Sequence, residues 1–400
     1  MGGEKYMKEP KLRFKADDGS DFPDWEEKKL GDMFSISAGG DIDKNNSSKE
    51  KSCSYPYPVY ANALMNDGLY GYANYFKVDG DTFTVTGRGD VGYAVARHCK
   101  YVPIVRLLVC RPKENDNVDF FAEQVNCARI FIESTGVPQL TAPQLAVIKL
   151  LRPSLPEQQK IADFLSTIDT IIEKQRATVS AWEERKKGVM QKLFSQEVRF
   201  KADDGSDFPD WEECTVGELF VPVVKKNKDG SIQNVITNSA QYGLIPQRDF
   251  FDKDIAIKEN TSNYTIIQNG DFVYNPRKST TAPFGPFNIY ERDEAGIVSP
   301  LYTCLTPKYK EMTPYLSWYF RTNKWHPYIV THGAQSGARH DRVGMTATLM
   351  NGIPVIYPSL PEQQKIADCL SALDAVIEQQ KETLEKWQEL KKGLLQQMFV

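Results

Sequence analysis

Two segments of this chain are each written twice, and that repetition limits its architecture more than any other feature. Residues Arg13 to Glu27 read RFKADDGSDFPDWEE, and Arg199 to Glu213 repeat the same letters. Pro153 to Asp163 reads PSLPEQQKIAD, and Pro358 to Asp368 repeats it, with similar sequence continuing to Leu193 and Met398. Repeats of this kind define the units of a fold. The blocks between them differ in length and are unrelated in sequence. The chain therefore divides into a constant leading segment (1–29), a variable block (30–152), a constant exit segment (153–196), a second leading segment (197–215), a second variable block (216–357) and a second exit segment (358–400). Tandem duplication of a domain does not explain why only the flanks stayed alike. Two modules performing one kind of task on two different targets do.

The exit segments predict long amphipathic helices. After Pro156, apolar residues fall at Ile161, Leu165, Ile168, Ile172, Val179, Trp182, Val189 and Leu193, with Gln175 and Lys186 interrupting the seam. The second copy gives Ile366, Leu370, Leu373, Ile377, Leu384, Trp387, Leu394 and Met398. Spacings of three and four over about five heptads are those of coiled-coil pairing. A rod of about 50 to 60 Å must bury such a stripe, and the nearest partner is the other copy. The expected helix-pairing set is Ile161, Leu165, Ile168, Ile172, Val179 and Trp182 against Ile366, Leu370, Leu373, Ile377, Leu384 and Trp387. A pseudo-twofold would run the two helices antiparallel and place the variable blocks at opposite ends.

Four hundred residues exceed what one hydrophobic core organises, in keeping with two domains. The net charge of −4 gives no overall support for nucleic-acid binding, so charge must be read locally. Seven cysteines form an odd number without close spacing, which reads as reduced packing thiols rather than disulfides or a zinc site. The opening MGGEKYMKEP lacks an apolar leader and no stretch approaches the roughly 20 apolar residues that cross a bilayer, so a cytoplasmic protein without membrane contact is expected.

Both variable blocks carry short apolar runs bounded by Gly, Pro, Asn and Asp: Pro58 to Tyr60, Thr82 to Thr86, Ile104 to Cys110, Phe272 to Tyr274 and Ile297 to Leu305. These predict strands in mixed sheets, with helices at Asp119 to Glu133 and Thr313 to Arg321, hence an α+β class rather than parallel βαβ units. In the first block Arg88, Arg97, His98, Lys100, Arg106, Arg111 and Lys113 form a basic stretch opposed only by Asp90. The second has clusters at Lys225, Lys226 and Lys228, at Arg277 and Lys278, and at Arg321, Lys324, Arg339 and Arg342. Such local excess suits phosphate neutralisation. Near the end of each block lies a polar loop, Ser134 to Gln139 and Gly333 to Arg339, in which small residues permit close approach while Gln and Arg match adenine and guanine edges. Candidate DNA-contacting residues are Tyr60, Asn62, Arg88, Arg97, Thr135 and Gln139 in the first block. In the second they are Ser239, Gln241, Tyr242, Arg277, Lys278, Gln335, Arg339 and Arg342.

With these residues in place, the chain resembles the specificity subunit of type I restriction-modification systems. The resemblance is carried by LPEQQKIADFLSTID and LPEQQKIADCLSALD, and more weakly by GIVSPLYTC and STGVPQL. It implies two target-recognition domains reading a bipartite, asymmetric site on double-stranded DNA, with the helices as a ruler for the unread spacer. It also implies docking of two modification subunits, which bind S-adenosylmethionine and methylate adenine, and of a restriction subunit that uses ATP and Mg²⁺. On this reading the chain itself is not an enzyme and holds no cofactor, metal or catalytic residue.

Three motifs point elsewhere and carry less. Gly87 to Gly92 matches GxGxxG, but the following YAVARHCKYVPIVRLLVC predicts strands instead of the helix a dinucleotide needs. Asn275-Pro276-Arg277-Lys278 lacks the second proline and the aromatic residue of the NPPY-type loop of amino-methyltransferases. The pairs Asp17-Asp18 and Asp203-Asp204 sit in the repeated turns ahead of Pro23 and Pro209, where turn and capping roles suffice. The rival from another class is a coiled-coil protein-interaction scaffold without DNA readout.

Overall fold

A computed structural model describes residues 10–128, 139–248, 261–333 and 341–399, with residues 249 and 250 as backbone. The chain forms two compact units, Met1–Ala177 with Lys381–Val400, and Thr178–Gln380. The repeated exit segments are the helices α1 (Leu155–Phe194, 40 residues) and α2 (Leu360–Met398, 39 residues). Pro156 costs nothing in a first turn, where its amide would be unpaired, and Glu157 there complements the helix dipole.

The core of the first unit is a four-stranded antiparallel sheet of β1 (Phe34–Ala38), β2 (Thr82–Val85), β3 (Ala94–Arg97) and β4 (Leu108–Pro112), in the order β1-β4-β2-β3. Helix Val118–Cys127 packs on it. Asn117 caps that helix by accepting from the Phe120 amide at 2.9 Å. Phe34 meets Phe83 and Phe121 at 5.0 and 5.1 Å between ring centroids, edge to face. A second sheet includes Tyr57–Tyr60, which pairs parallel to Val102–Pro103.

The second unit has β5 (Phe220–Pro222), β6 (Phe272–Tyr274), β7 (Phe287–Ile289) and β8 (Thr303–Pro307), in the order β5-β8-β6-β7 and again all antiparallel. Helix Thr313–Tyr319 and Phe320 cover it, with Phe287 and Phe320 at 4.2 Å. Unrelated sequences thus give one topology, and the expected α+β class with mixed sheets is what forms. Two expected strands are corrected. Ile104 to Cys110 is broken by a turn at Val105-Arg106, and Ile297 to Leu305 splits into Gly296–Val298 and β8, which lie in different sheets.

Each unit is closed at its base by one strand pair. Glu26–Lys29 runs antiparallel to Lys149–Arg152, and Glu212–Thr215 to Pro354–Tyr357. The repeated leading segments bolt onto the starts of the long helices. Arg13 donates to both Glu157 oxygens at 3.0 and 2.9 Å, and Trp25 Nε1 donates to Oε2 at 3.0 Å. Arg199 and Trp211 grip Glu362 in the same way, at 3.1, 2.7 and 3.2 Å. Both carboxylates are fully buried, which only such pairing makes tolerable. Asp18 and Asp204 accept from Ser20 and Ser206 within the repeated turns, as the turn reading expects.

Within the first unit the start of α1, through Ile161 and Leu165, shares a core with Leu394, Leu395, Met398 and Phe399 at the end of α2. Within the second, Leu193 and Phe194 at the end of α1 share one with Ile366 and Leu370 at the start of α2. In each unit the two helices therefore run in opposite directions. Ile161, Leu165, Ile168, Ile172, Val179, Ile366, Leu370 and Ile377 are buried, and Trp182, Leu373, Leu384 and Trp387 are partly so.

Candidate nucleic-acid interface

In the first unit the loop after β2 and the segment ahead of the short helix Ala142–Ala146 meet as neighbouring strands. Arg88 and Gln139 form an isolated antiparallel bridge, and the Leu140 amide donates to the Gly87 carbonyl at 2.9 Å. Arg88 Nη2 also donates to Gln139 Oε1 at 3.3 Å. A Cβ on Gly87 would lie 2.8 Å from the Leu140 carbonyl oxygen, so only glycine permits the approach. Asn62 ties a third loop to this point, accepting from the Gly87 amide at 2.7 Å and donating to the Val105 carbonyl at 2.6 Å.

Tyr60 and Arg97 stand apart from that cluster. Arg97 is 6 % exposed, donates to Thr84 Oγ1 and the Asp67 carbonyl, and lies 3.7 Å from the Tyr60 ring centre. It therefore braces Tyr60 and points inward, a placement its polarity did not signal. Burial raises the Tyr60 phenol despite the Arg97 cation, and pushes Tyr101, hydrogen-bonded to Thr82, up to about 12. Both phenols stay neutral at ordinary pH.

The basic stretch of the first block is also less free than its letters suggest. His98 pairs with Asp81 and Asp119, Lys100 with Asp79, and Lys113 donates to the Gly31 carbonyl. Gly87 to Gly92 forms the hairpin turn between β2 and β3, with the Gly92 amide donating to the Thr86 carbonyl. A strand follows it, where the dinucleotide fold requires a helix.

The second unit repeats the arrangement with other residues. Arg277, in the loop after β6, forms an isolated antiparallel bridge with Arg342, ahead of the short helix Ala347–Asn351. The Lys278 amide donates to the Asp341 carbonyl and the Val343 amide to Pro276. Arg277 and Lys278 are exposed. Beside them the hairpin Ile236–Ser239 with Gly243–Pro246 carries Ser239, whose Oγ accepts the Gln241 and Tyr242 amides at the tip. The hairpin is mounted by asparagines that sequence reading missed. Asn238 is buried, donates to Val273 and accepts from Asn288, while Asn275 donates to the Asn238 carbonyl and accepts the Arg277 amide. Thr135, Gln335 and Arg339 lie outside the described residues.

Sheet order therefore makes Arg88 equivalent to Arg277 and Gln139 equivalent to Arg342, since each arginine follows the second core strand and each partner precedes the last short helix. Among the described residues no group of three or more His, Cys, Asp or Glu is placed to hold a metal, and no helix is long and apolar enough to cross a membrane.

Two sheet units of shared topology but unrelated sequence, each with a basic loop, describe a tandem specificity protein. The chain belongs to the family described as the type I restriction modification DNA specificity domain, which matches residues 23–179 and 209–386. A relative named as the MjaX type I restriction enzyme specificity subunit of Methanocaldococcus jannaschii is 23 % identical, with 96 % of this chain and 94 % of that one covered. A type I specificity subunit of Mycoplasma pneumoniae is 32 % identical over 123 residues, and a second is 29 % identical over 140. The chain spans 33 % and 42 % of the length of these two relatives. In fold it is similar to the type I restriction-modification S subunit from M. genitalium, with a TM-score of 0.59 at 16 % identity over 98 % of this chain and 99 % of that one. A chain from a structural study of complex assembly and conformational transition in the type I system gives a TM-score of 0.54, also at 16 % identity, over 94 % and 98 %.

Proposed function

We propose that the two variable blocks, 30–152 and 216–357, are target-recognition domains that read the two halves of a bipartite, asymmetric site on double-stranded DNA. Family membership supplies DNA specificity as the task. The observation that carries the division of labour is the pair of equivalent backbone bridges, Arg88 with Gln139 and Arg277 with Arg342. One scaffold position presents different hydrogen-bonding groups in each unit, as two unlike targets require.

On this reading the chain directs the chemistry of others. Two modification subunits bring S-adenosylmethionine and methylate adenine, a restriction subunit brings ATP and Mg²⁺, and this chain supplies neither cofactor nor catalytic group. Methylation mapping in cells carrying the intact system tests it, because the methylated motif reports both halves and their spacing together. Exchange of residues 30–152 for another family member's block is expected to change one half alone. A change in both halves, or binding by the assembled complex without salt dependence, overturns the reading and leaves the protein-interaction scaffold.

A further inference from the structure

Each unit carries an exposed apolar side chain at one equivalent place, the tight turn that leads into the last strand of its core sheet. In the first unit the Leu107 amide donates to the Ile104 carbonyl at 3.0 Å, closing a turn over Val105 and Arg106 just ahead of β4. In the second the Tyr302 amide donates to the Ser299 carbonyl at 3.0 Å, closing a turn over Pro300 and Leu301 just ahead of β8. Val105 is 47 % exposed and Leu301 56 %. A single exposed aliphatic residue is ordinary. Its recurrence at one topological position, in sequences that share nothing there, is not.

Each turn is linked to its arginine loop through an asparagine side chain. Asn62 joins the Val105 carbonyl to the Gly87 amide, next to Arg88. Asn275 joins the Tyr302 hydroxyl, at 3.4 Å, to the Arg277 amide, at 3.0 Å. The Val105 and Arg106 amides are further pinned to the Gly40 and Gly39 carbonyls at 2.9 and 3.1 Å. Val105 and Arg106 take left-handed backbone, φ 53° and 59°, which a β-branched residue adopts only when its surroundings impose it. Pro300 cannot take that conformation, so the two turns differ in backbone hand, with Val105 second in its turn and Leu301 third. Arg106 is exposed and has no ion-pair partner among the described residues.

We propose that Val105 and Leu301 are base-reading tips, each making an apolar contact with a thymine C5-methyl in the major groove while the adjacent arginine loop holds the neighbouring phosphates or purine edges. The inference rests on the DNA-reading function above and names its apolar component. An aliphatic side chain on a hydrogen-bonded turn, tied through an asparagine to a loop that carries an arginine, suits a methyl flanked by the polyanionic backbone.

The test uses the complex assembled with its modification subunits and a duplex bearing the methylated motif, with each thymine in turn replaced by deoxyuridine, which lacks only the methyl. One position per half is expected to weaken binding about fourfold, the worth of one buried methyl. Val105→Ala is expected to abolish the sensitivity in one half and Leu301→Ala that in the other, with unfolding midpoints not lowered, because both side chains are exposed and alanine tolerates the left-handed backbone at 105 better than valine does. Uniform tolerance of deoxyuridine, or sensitivity that persists in both variants, overturns the tips while leaving DNA reading intact. Failure of the unaltered complex to prefer its motif over random duplex overturns the parent reading, and this inference with it.

Discussion

Lys391 of α2 sits with its ammonium 2.8 Å from the Asp169 carboxylate of α1, and the same ammonium donates to Glu123 of helix Val118–Cys127. In the other unit Lys186 of α1 bonds Asp374 of α2, and Arg321 joins that carboxylate at 3.5 Å. The repeat makes the two lysine-aspartate pairs counterparts, whereas the third member is acidic in one unit and basic in the other. Burial works against the Lys391 charge, but Glu123 and Asp169 outweigh it and raise the ammonium's pKa. Replacing Lys391 with Met leaves two carboxylates facing each other and is expected to cost about 1–2 kcal/mol, read from chemical denaturation. Glu123→Gln in the same background should restore part of it, because the pair is coupled.

Glu157 offers a larger effect. Its carboxylate is fully buried and accepts from Arg13 and Trp25, so Glu157→Ala strands the indole N–H and leaves the guanidinium only its bonds to the Phe22 and Pro23 carbonyls. A loss of about 3 kcal/mol is expected in urea titration, and Arg13→Ala added to it should cost little more. Equal, additive losses would show that the two groups do not act together.

His98 gives the pH dependence of the first unit a sign. Partial burial lowers its pKa, but the hydrogen bonds its ring donates to Asp119 and Asp81 outweigh this and raise it above 6.5. A raised value in the folded state means that the stabilisation is complete below the unfolded value of about 6.5 and fades as pH climbs through the folded one. Thermal midpoints are therefore expected to fall between about pH 6 and 8, and less steeply in His98→Gln. Parallel slopes for both proteins would remove His98 from the account.

The equivalence of Arg88 and Arg277 predicts separable losses. Arg88→Ala should relax the motif in one half and Arg277→Ala in the other, each by about 1–3 kcal/mol of discrimination in competition binding. Lys278→Ala should weaken all sequences alike and reduce the salt slope by about one.

What could be read beforehand was whatever the chain encodes locally. The seam from Ile161 to Ile172 recurs every three or four residues and resumes in register at Val179 after Gln175, and the leading segments recur letter for letter, so both helices and both units were legible. Residues brought together across a sheet were not. Arg97 looks like any exposed arginine until Thr84 and the Asp67 carbonyl close around it, and His98 gains Asp119 only when a helix distant in sequence packs beside it. Nothing in the letters aligns Gly87 with Leu140, whose amide donates to it, and the two tips at Val105 and Leu301 share no residue type that would announce them. Non-local pairing in short antiparallel strands places these groups, and periodicity does not encode it.

The strand pairs at the base of each unit bring the chain's entry to a variable block beside its exit, Lys29 opposite Lys149 and Thr215 opposite Pro354. Such a block enters and leaves through one doorway, so its interior can lengthen, shorten or be rewritten without displacing the helix beyond. New specificities can therefore arise by wholesale substitution, with the frame inherited unchanged.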